Sequence, residues 1–336
     1  VQEQTSPLFS AIREAVAGSS EGQPTLTAPL SRENAAVLRN YLPFMAPVPF
    51  GREGLSLGLG DRLGLAAPGH LRTVRGKGVK PVLAQQSIRE LNLTARTYED
   101  VLAAASWGVL EEGFHDGFSA DGDHLKKSDE VKMALDLGFS MITLDCSEHI
   151  VGGVDDWSDA QVITTYEALP ATYRQQLEEL YLNREFQIGN ARISYPESVF
   201  KRIVIVYGKA LQYCEEIFSG LIRPCGRLVD FEVSIDETAT PTTPAAHYFV
   251  AAELERLQVG VTSVAPRFCG EFQKAIDYIG NIRQFEQEFE LHARIADTFG
   301  YRLSIHSGSD KLSVYPIISR YTQGRVHVKT AGTNWL

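Results

Sequence analysis

The sequence predicts an α/β fold: a closed (β/α)8 barrel of TIM type with an N-terminal helical extension and a helical insertion between strands four and five. Three observations predict it. Eight short apolar runs recur along the chain, each ends in polar or charged residues, and helix-length segments separate most of them. Alternating strands and helices favour a parallel sheet, and eight such strands favour a closed barrel. An open doubly wound sheet is the main alternative, but no G-x-G-x-x-G motif follows the first strand.

The first 60 residues are predicted to form the helical extension, and residues 61–336 the barrel domain. Two segments of the extension, SPLFSAIREAVAG and SRENAAVLRNYL, carry apolar residues at helical spacing. Ser6 and Ser31 stand at the N-cap positions of these two helices. A glycine-rich stretch, FGREGLSLGLGDR, then leads into the barrel.

The predicted strands of the barrel share an apolar run that ends in polar residues. In chain order they are 62–70, 81–90, 117–126, 139–149, 227–237, 260–268, 301–311 and 325–333. Only about ten residues join the first two, too few for a full crossover helix. The fourth and fifth are separated by an insert, residues 150–226, with two helical segments that each have proline at the first turn. We expect the insert to form a helical flap or an oligomer contact at the rim of the barrel.

Composition and charge exclude several classes of protein. The chain has 336 residues, of which 44% are hydrophobic, and its 32 Lys and Arg against 42 Asp and Glu give a net charge of −10. A nucleic-acid partner needs clustered basic residues, and none occur. No apolar stretch approaches the ~18 residues that span a bilayer. The four cysteines form no C-x-x-C pair, which argues against a zinc knuckle and a disulfide framework and indicates a cytoplasmic protein.

Strand phase selects the residues that can point into the barrel. A period of two places the predicted inward side chains opposite the apolar ones, and they are His124, Glu232, His306 and His327. For the strand that contains His124, this phase puts Ala120 and Gly122 on the same inward face. Imidazoles and a carboxylate that converge suit a divalent transition metal, and the pattern does not distinguish Zn, Mn, Ni, Co or Fe.

A hydrogen-bonded polar core inside the barrel is the alternative to a metal site. It is less attractive because several ionisable groups in an apolar barrel cost free energy unless something pairs with them. A metal ion would satisfy all of them at once.

The segment YRLSIHSGSDKLSVYP carries polar groups directly after a buried strand. Leu303 and Ile305 alternate with polar residues up to His306, and the chain then continues as Ser-Gly-Ser-Asp-Lys. Ser309 or Asp310 is predicted to cap a helix that continues beyond this turn. Backbone N–H groups at a helix start favour anions, so the turn is predicted to be both a helix cap and part of an anion site.

Several motifs resemble the D-tagaturonate epimerase family of bacterial hexuronate catabolism. They are RLGLAAPGH, PVLAQQSIREL, SADGDHLK, HSGSDKLSVYP and HVKTAGTNWL, and the resemblance runs from about residue 61 to the end. It implies an isomerase that interconverts D-tagaturonate and D-fructuronate with a divalent metal. It also implies that His124, His306 and His327 are metal ligands and that Asp123 and Glu232 are the acid–base carboxylates. Gly122 departs from the family pattern, which favours a small apolar residue there.

The reaction that the resemblance implies inverts the carbon β to a ketone, whose hydrogen is not acidic. Retro-aldol cleavage followed by aldol addition to the other face of the aldehyde achieves this inversion. Two acid–base groups on different strands would serve the hydroxyl in its two orientations. Transient oxidation by a bound nicotinamide is the alternative mechanism, but no dinucleotide fingerprint supports it.

The carboxylate of a ketouronate substrate requires cations and amide groups. The residues predicted to bind substrate are Lys329, Arg89, Gln86, Asp145, Ser307 and Lys311, with Lys126 and Arg267 as further cations. A small ketouronate is therefore the expected partner, with no nucleic acid and no membrane, and a homo-oligomer is left open.

Other functions on the same barrel remain open. One is a metal-dependent sugar aldolase or isomerase. Another is a metal-dependent hydrolase, although such barrels commonly carry His-x-His at the end of strand one, which LGLAAPGH lacks. A third is a sugar-binding barrel without catalysis, which has no need of a histidine-rich centre, so a metal assay discriminates it.

Overall fold

Eight parallel strands close into a barrel in the part of the chain that the computed structural model describes, residues 29–238 and 240–331. In chain order the strands are β1 (Leu55–Gly60), β2 (Lys80–Gln86), β3 (Ser119–Leu125), β4 (Met141–Asp145), the hairpin strands β5 (Glu185–Ile188) and β6 (Ala191–Ser194), β7 (Asp230–Ile235), β8 (Ser263–Pro266), β9 (Arg302–Ile305) and β10 (Val326–Ala331). The barrel order is β1-β2-β3-β4-β7-β8-β9-β10, and β1 pairs with β10 to close it. The predicted fold class is confirmed.

Helices surround the barrel and connect its strands. They are α1 (Arg32–Tyr41), α2 (Ala67–Val74), α3 (Ile88–Thr94), α4 (Tyr98–Glu112), α5 (Ser128–Leu137), α6 (Asp159–Glu167), α7 (Ala171–Tyr181), α8 (Glu197–Ile217), α9 (Pro244–Arg256), α10 (Ile282–Phe299) and α11 (Tyr315–Thr322). None of these helices combines the length and the apolar character needed to cross a membrane.

The predicted helical extension is partly described. Ser31 caps α1 as expected, since its hydroxyl accepts a hydrogen bond from the backbone N–H of Asn34 at 3.2 Å. The other predicted helix of the extension, with its cap at Ser6, lies outside the described residues.

The first strand was predicted in the wrong place. Residues 62–70 do not form a strand; they contain a loop and the start of α2, where Pro68 stands in the first turn. The true β1 is LSLGLG, which lies inside the glycine-rich stretch predicted to precede the barrel. This shift also removes the short connection between the first two strands, because α2 now joins β1 to β2 as a crossover helix.

The predicted insertion between the fourth and fifth barrel strands is confirmed and contains more than helices. Both predicted helical segments form, as α7 and α8. Between them the chain makes the antiparallel hairpin β5–β6, which helical periodicity did not indicate. The flap or oligomer role of this insert stays a prediction.

The amino end of the barrel is covered by the chain that precedes β1. The carboxylate of Asp230, at the start of β7, accepts hydrogen bonds from the backbone N–H groups of Phe50 at 2.6 Å and Gly51 at 3.0 Å. Lys80 donates to the carbonyls of Phe50 and Glu53. The described residues thus cover the amino end of the barrel.

The turn after β9 does not cap a helix, contrary to prediction. The helix α11 begins at Tyr315, where Pro316 stands in the first turn, several residues after Ser309 and Asp310. Asp310 instead adopts a left-handed backbone conformation with φ of 59°, and the Ser309 hydroxyl accepts from the backbone N–H of Ala275. The turn thus packs against the loop that follows β8.

Candidate active site

A cavity of about 530 Å³ opens at the carboxyl ends of the barrel strands. The predicted site residues that line it are Asp123, His124, Asp145, Arg89, His306, Ser307 and Lys329. A second cavity of about 350 Å³ shares Asp236, His306 and Ser307 with the first and contains the predicted Arg267. Most of the predicted site is thus brought together around one space.

The ammonium group of Lys329 lies at the floor of this cavity, among three carboxylates. Its Nζ lies 2.9 Å from Asp121, 2.7 Å from Asp123 and 3.0 Å from Glu232, and it also donates to the hydroxyl of Thr143 at 2.6 Å. Burial alone would lower the pKa of Lys329, but the carboxylates outweigh burial and raise the pKa well above its ordinary value. Lys329 is therefore a counter-charge for the floor, and its predicted contact with a substrate carboxylate stays a prediction.

Glu232 is fully buried in the same cluster. Its carboxylate accepts hydrogen bonds from Ser263 Oγ at 2.6 Å and from His306 Nε2 at 2.9 Å. Burial would raise the pKa of Glu232, but the charges of Lys329 and His306 hold it well below the ordinary value. The inward phase predicted for this strand is confirmed, with Asp230 at the amino end and Glu232 above it.

His306 lies between two carboxylates at the wall of the cavity. Its Nε2 donates to Glu232, and its Nδ1 lies 3.0 Å from Asp236 Oδ2 without making a hydrogen bond. Burial would lower the pKa of His306, but Asp236 and Glu232 outweigh burial and raise the pKa to about 10. The imidazole is thus anchored to Glu232 on one side and faces the Asp236 carboxylate with its other, buried nitrogen.

Asp123 and His124 both line the cavity although they are consecutive in one strand. The backbone of His124 is left-handed, with φ of 53°, and the pairing of β3 with β4 shifts between Gly122 and Leu125. This irregularity interrupts the alternation of side chains. The inward face of β3 carries Asp121 and Asp123, so the predicted inward phase of Gly122 is wrong.

The packing around Gly122 confirms this corrected phase. A Cβ atom at Gly122 would lie 2.9 Å from the side chain of Leu125 and 3.1 Å from that of Ala134 in α5. Gly122 therefore faces the helices and not the interior of the barrel.

One group of side chains could hold a metal ion in the part of the chain that the structure describes. Ligand atoms of His124, Asp145 and Glu237 all lie within 4.8 Å of one another. His124 Nδ1 and Asp145 Oδ2 are buried, lie 3.4 Å apart and make no hydrogen bond. A buried carboxylate and an imidazole with unused lone pairs suit a divalent cation, so these residues fit one.

Four predicted residues line neither cavity, and the first is the buried Glu232 described above. His327 is fully buried beneath the first cavity; its Nδ1 is hydrogen-bonded to Ser56 Oγ at 2.8 Å, its Nε2 has no partner among the described residues, and burial lowers its pKa to about 3. The ammonium of Lys311 donates to three backbone carbonyls, those of Gln273, Ile276 and Ser309. It therefore holds a loop in place and has no donor left for a substrate carboxylate.

Gln86 is the fourth residue that lies away from the cavity. Its amide Nε2 donates to the carbonyl of Asp61 and so fixes the loop after β1. The neighbouring Gln85 lines the cavity instead. The prediction chose the wrong glutamine because consecutive strand residues point to opposite faces.

Several residues of the cavity were missed from the sequence. They are Arg62, Gln85, Asp236, Glu237 and Lys274, together with Asp121, which does not line the cavity but is buried against Lys329. Asp121 could have been found, because the alternation Asp-Gly-Asp at the end of β3 puts two carboxylates on one face. Burial raises the pKa of Asp121 to about 6. Arg62 was not recognised because the first strand was predicted to begin at residue 62. It lies two residues after the end of the true β1, where a loop residue can line the cavity.

Comparisons with known proteins agree with one another. A family model described as UxaE, tagaturonate epimerase, matches residues 1–336. The chain is 41% identical over 307 residues to the tagaturonate/fructuronate epimerase of Thermotoga maritima. It is also similar to crystal structures of the fructuronate-tagaturonate epimerase UxaE from Cohnella laeviribosi. The complex with one glycerol gives 51% identity and a TM-score of 0.92, and the native structure gives 52% and 0.91.

The coverage of these relatives is uneven. The matches span 91% of this chain against the Thermotoga maritima protein, and 99% and 94% against the two Cohnella laeviribosi structures. They span only 63% of the Thermotoga maritima protein and 67% and 64% of the two solved chains. The chain thus corresponds to about two thirds of the length of these relatives.

Proposed function

The chain belongs to the tagaturonate epimerase family, and from this premise we propose that it is an isomerase that interconverts D-tagaturonate and D-fructuronate. One observation carries the proposal. Asp123 on β3 and Glu232 on β7 are held beside the same ammonium group, 2.7 Å and 3.0 Å from Lys329 Nζ. Asp123 lines the cavity, and Glu232 is buried directly behind Lys329 and His306, which line it. Inversion needs an acid–base group for each orientation of the reacting hydroxyl, and two carboxylates from different strands meet that need.

We propose that the inversion proceeds by retro-aldol cleavage. One carboxylate removes the proton of the β-hydroxyl, whose oxygen becomes the carbonyl of an aldehyde. The bond between the α and β carbons breaks, and its electron pair forms a three-carbon enediolate. After the aldehyde turns its other face, the enediolate carbon attacks it, and the proton removed in the first step passes through the second carboxylate to the new alkoxide. His306 orients the Glu232 carboxylate through its Nε2–H.

We also propose that a divalent cation is bound at this cavity by His124 together with Asp145 and Glu237. The support is the proximity of their ligand atoms and the unpaired Nδ1 of His124 and Oδ2 of Asp145. When bound, such a cation supplies Lewis-acid stabilisation of the negative charge that develops on substrate oxygens. His306 and His327 are the alternative ligands that the family resemblance implies.

His124 is a ligand in both sets, so His124→Ala is expected to weaken metal binding by more than the roughly 10–100-fold that loss of an outer partner costs. Metal per chain is measured by elemental mass spectrometry after dialysis against increasing chelator. His115→Ala is the matched control, because His115 is exposed and does not line the cavity.

A second comparison decides between the two ligand sets. We expect Asp145→Asn to lose metal and His327→Ala to keep it, because the His327 imidazole is buried beneath the cavity. The reverse result would favour the set of three histidines. Retention of full metal affinity by His124→Ala would contradict both.

The proposed reaction is tested with the purified protein and each ketouronate in turn. With a divalent metal from the panel Zn, Mn, Ni, Co and Fe, D-tagaturonate should yield D-fructuronate. The same equilibrium mixture should form when D-fructuronate is the starting compound. In heavy water little deuterium should enter the inverted carbon, because that carbon never loses its hydrogen. Accumulation of three-carbon products would indicate an aldolase, and no conversion with any metal would refute the proposal.

We keep the cytoplasm as the proposed compartment, because the cysteines of the sequence form no disulfide framework. The flap or oligomer role of the insert at 150–226 also stays a proposal. Measuring the molar mass of the protein with and without this insert would test the oligomer role.

A further inference from the structure

The cations that line the cavity differ in how far they are already paired. Lys329 is surrounded by carboxylates, and Lys126 donates to Ser147 at 2.8 Å and lies 3.5 Å from Asp145. Arg89 is exposed at the rim. Arg62 differs from Lys126 and Arg89 because its side chain is only 6% exposed, and from Lys329 because one carboxylate, that of Glu90, pairs with it instead of three.

The guanidinium of Arg62 is only partly satisfied by the protein. Its Nη1 pairs with the carboxylate of Glu90, and its Nε is buried without a hydrogen-bond partner among the described residues. An arginine side chain buried in this way has unused donor capacity beside a cavity. A planar carboxylate is the group that matches the fork of an arginine.

The backbone that carries Arg62 is fixed from several sides. The Asp61 carboxylate accepts from the backbone N–H groups of Gly64 and Ala66 at 2.8 Å and 2.7 Å. The guanidinium of Arg96 donates to the carbonyls of Asp61 and Arg62 at 3.1 Å and 3.2 Å. The loop after β1 is therefore held in one conformation before any ligand arrives, which lowers the entropic cost of binding.

Glu90 holds the side chain of Arg62 in place, and the loop contacts hold its backbone. Glu90 lies in the first turn of α3, where its carboxylate also accepts from the backbone N–H of Ser87 at 3.2 Å. Its other oxygen lies 3.8 Å from Lys274 Nζ. Glu90 thus holds Arg62 by one nitrogen and leaves the other donors of the guanidinium unused by the described residues, so Glu90 is a positioning residue.

We propose that Arg62 binds the carboxylate of the sugar-acid substrate and so determines the preference of the site for uronates over neutral sugars. This inference rests on the proposed function for the identity of the substrate. In this proposal Arg62, which follows β1, makes the contact with the substrate carboxylate that was predicted for Lys329 and Lys311.

The test compares two non-reacting ligands that differ only in the terminal carbon, D-gluconate with a carboxylate and D-glucitol with a hydroxymethyl group. Their dissociation constants are measured by calorimetry on the full chain. Arg62→Met is expected to weaken D-gluconate binding by about 10–100-fold, as for a lost hydrogen bond to a charged group, and to change D-glucitol binding by less than about 3-fold. Arg72→Met is the matched control and should change neither constant by more than about 3-fold, because Arg72 is exposed and pairs with Glu112 away from the cavity.

A second variant keeps the test decisive if Arg62→Met does not fold with Glu90 left unpaired. Arg62→Lys retains a charge for Glu90 but loses the planar fork, so D-gluconate should bind about 5–10-fold more weakly while thermal unfolding stays cooperative. Equal losses for both ligands, or a loss of discrimination in Arg89→Met instead, would overturn the proposal. So would a wild-type protein that binds the two ligands equally.

The outcomes separate this inference from the proposed function. If the wild type does not epimerise either ketouronate but Arg62→Met selectively loses D-gluconate, the carboxylate site stands and the reaction is wrong. If the wild type epimerises and Arg62→Met raises KM equally for D-tagaturonate and for the neutral ketohexose D-tagatose, the reaction stands and the role of Arg62 is wrong.

Discussion

Replacing Lys329 with Met is expected to lower the free energy of unfolding by about 3–5 kcal/mol, the range for removing one partner of a buried ion pair. The reason is the charge balance at the barrel floor. The Nζ of Lys329 lies within 3.0 Å of Asp121, Asp123 and Glu232, all buried, and methionine would leave these carboxylates without their shared cation. The change is measured by urea unfolding followed by circular dichroism.

Two controls define the cause of this loss. Lys126→Met removes a rim lysine with a third of its side chain exposed and should cost no more than about 1 kcal/mol. The double variant Lys329→Met/Asp121→Asn removes one of the unpaired charges and should recover part of the stability. If Lys329→Met is as stable as the wild type but has a raised KM for ketouronates alone, the lysine binds substrate as the sequence predicted.

Glu232→Gln is expected to lower the rate of epimerisation by roughly 10²–10⁴-fold, the range for one general acid–base group. Glutamine keeps the size of the side chain, and its carbonyl oxygen can still accept from Ser263 Oγ or from His306 Nε2. It cannot take up or release a proton. The fold and the bound metal should therefore survive, which melting curves and elemental analysis would check.

Ser263→Ala is the matched control for this variant. It removes one hydrogen bond to Glu232 and leaves the carboxylate itself in place, so the rate should fall by no more than about 10-fold. A Glu232→Gln protein that loses its metal would identify Glu232 as a ligand. A normal rate would exclude Glu232 from the chemistry.

The fold could be predicted from the sequence because seven of the barrel strands are apolar runs that end in polar residues. The first strand was misplaced because RLGLAAPGH is as apolar as a strand, whereas the true β1 is rich in glycine, which disfavours strands. These glycines have a structural use, since a side chain at Gly58 would collide with that of Gln85. The period-two pattern of Leu55, Leu57 and Leu59 was nevertheless visible.

The candidate site could be predicted where strands are regular. The inward phase of β7 and β10 follows from alternation alone, so Glu232, His327 and Lys329 were all placed inside the barrel. On β3 the alternation of side chains does not predict which residues point inward, because nothing in the sequence indicates the left-handed backbone conformation at His124. The position of a residue along the barrel axis could not be predicted either. A period of two shows which face of the strand a residue occupies, but not whether it lines the cavity or, like His327, lies below it.

The closure of the barrel by β10 has a consequence for how the protein is made. Lys329 reaches the floor only when β10 pairs with β1, a contact between residues more than 270 positions apart along the chain. On the ribosome, the strands from β1 to β9 emerge before their shared cation, with an unpaired edge on either side of the gap. Contacts of such long range form late and slowly. A nascent chain therefore carries its acidic side chains without their shared cation until residue 329 has left the ribosome.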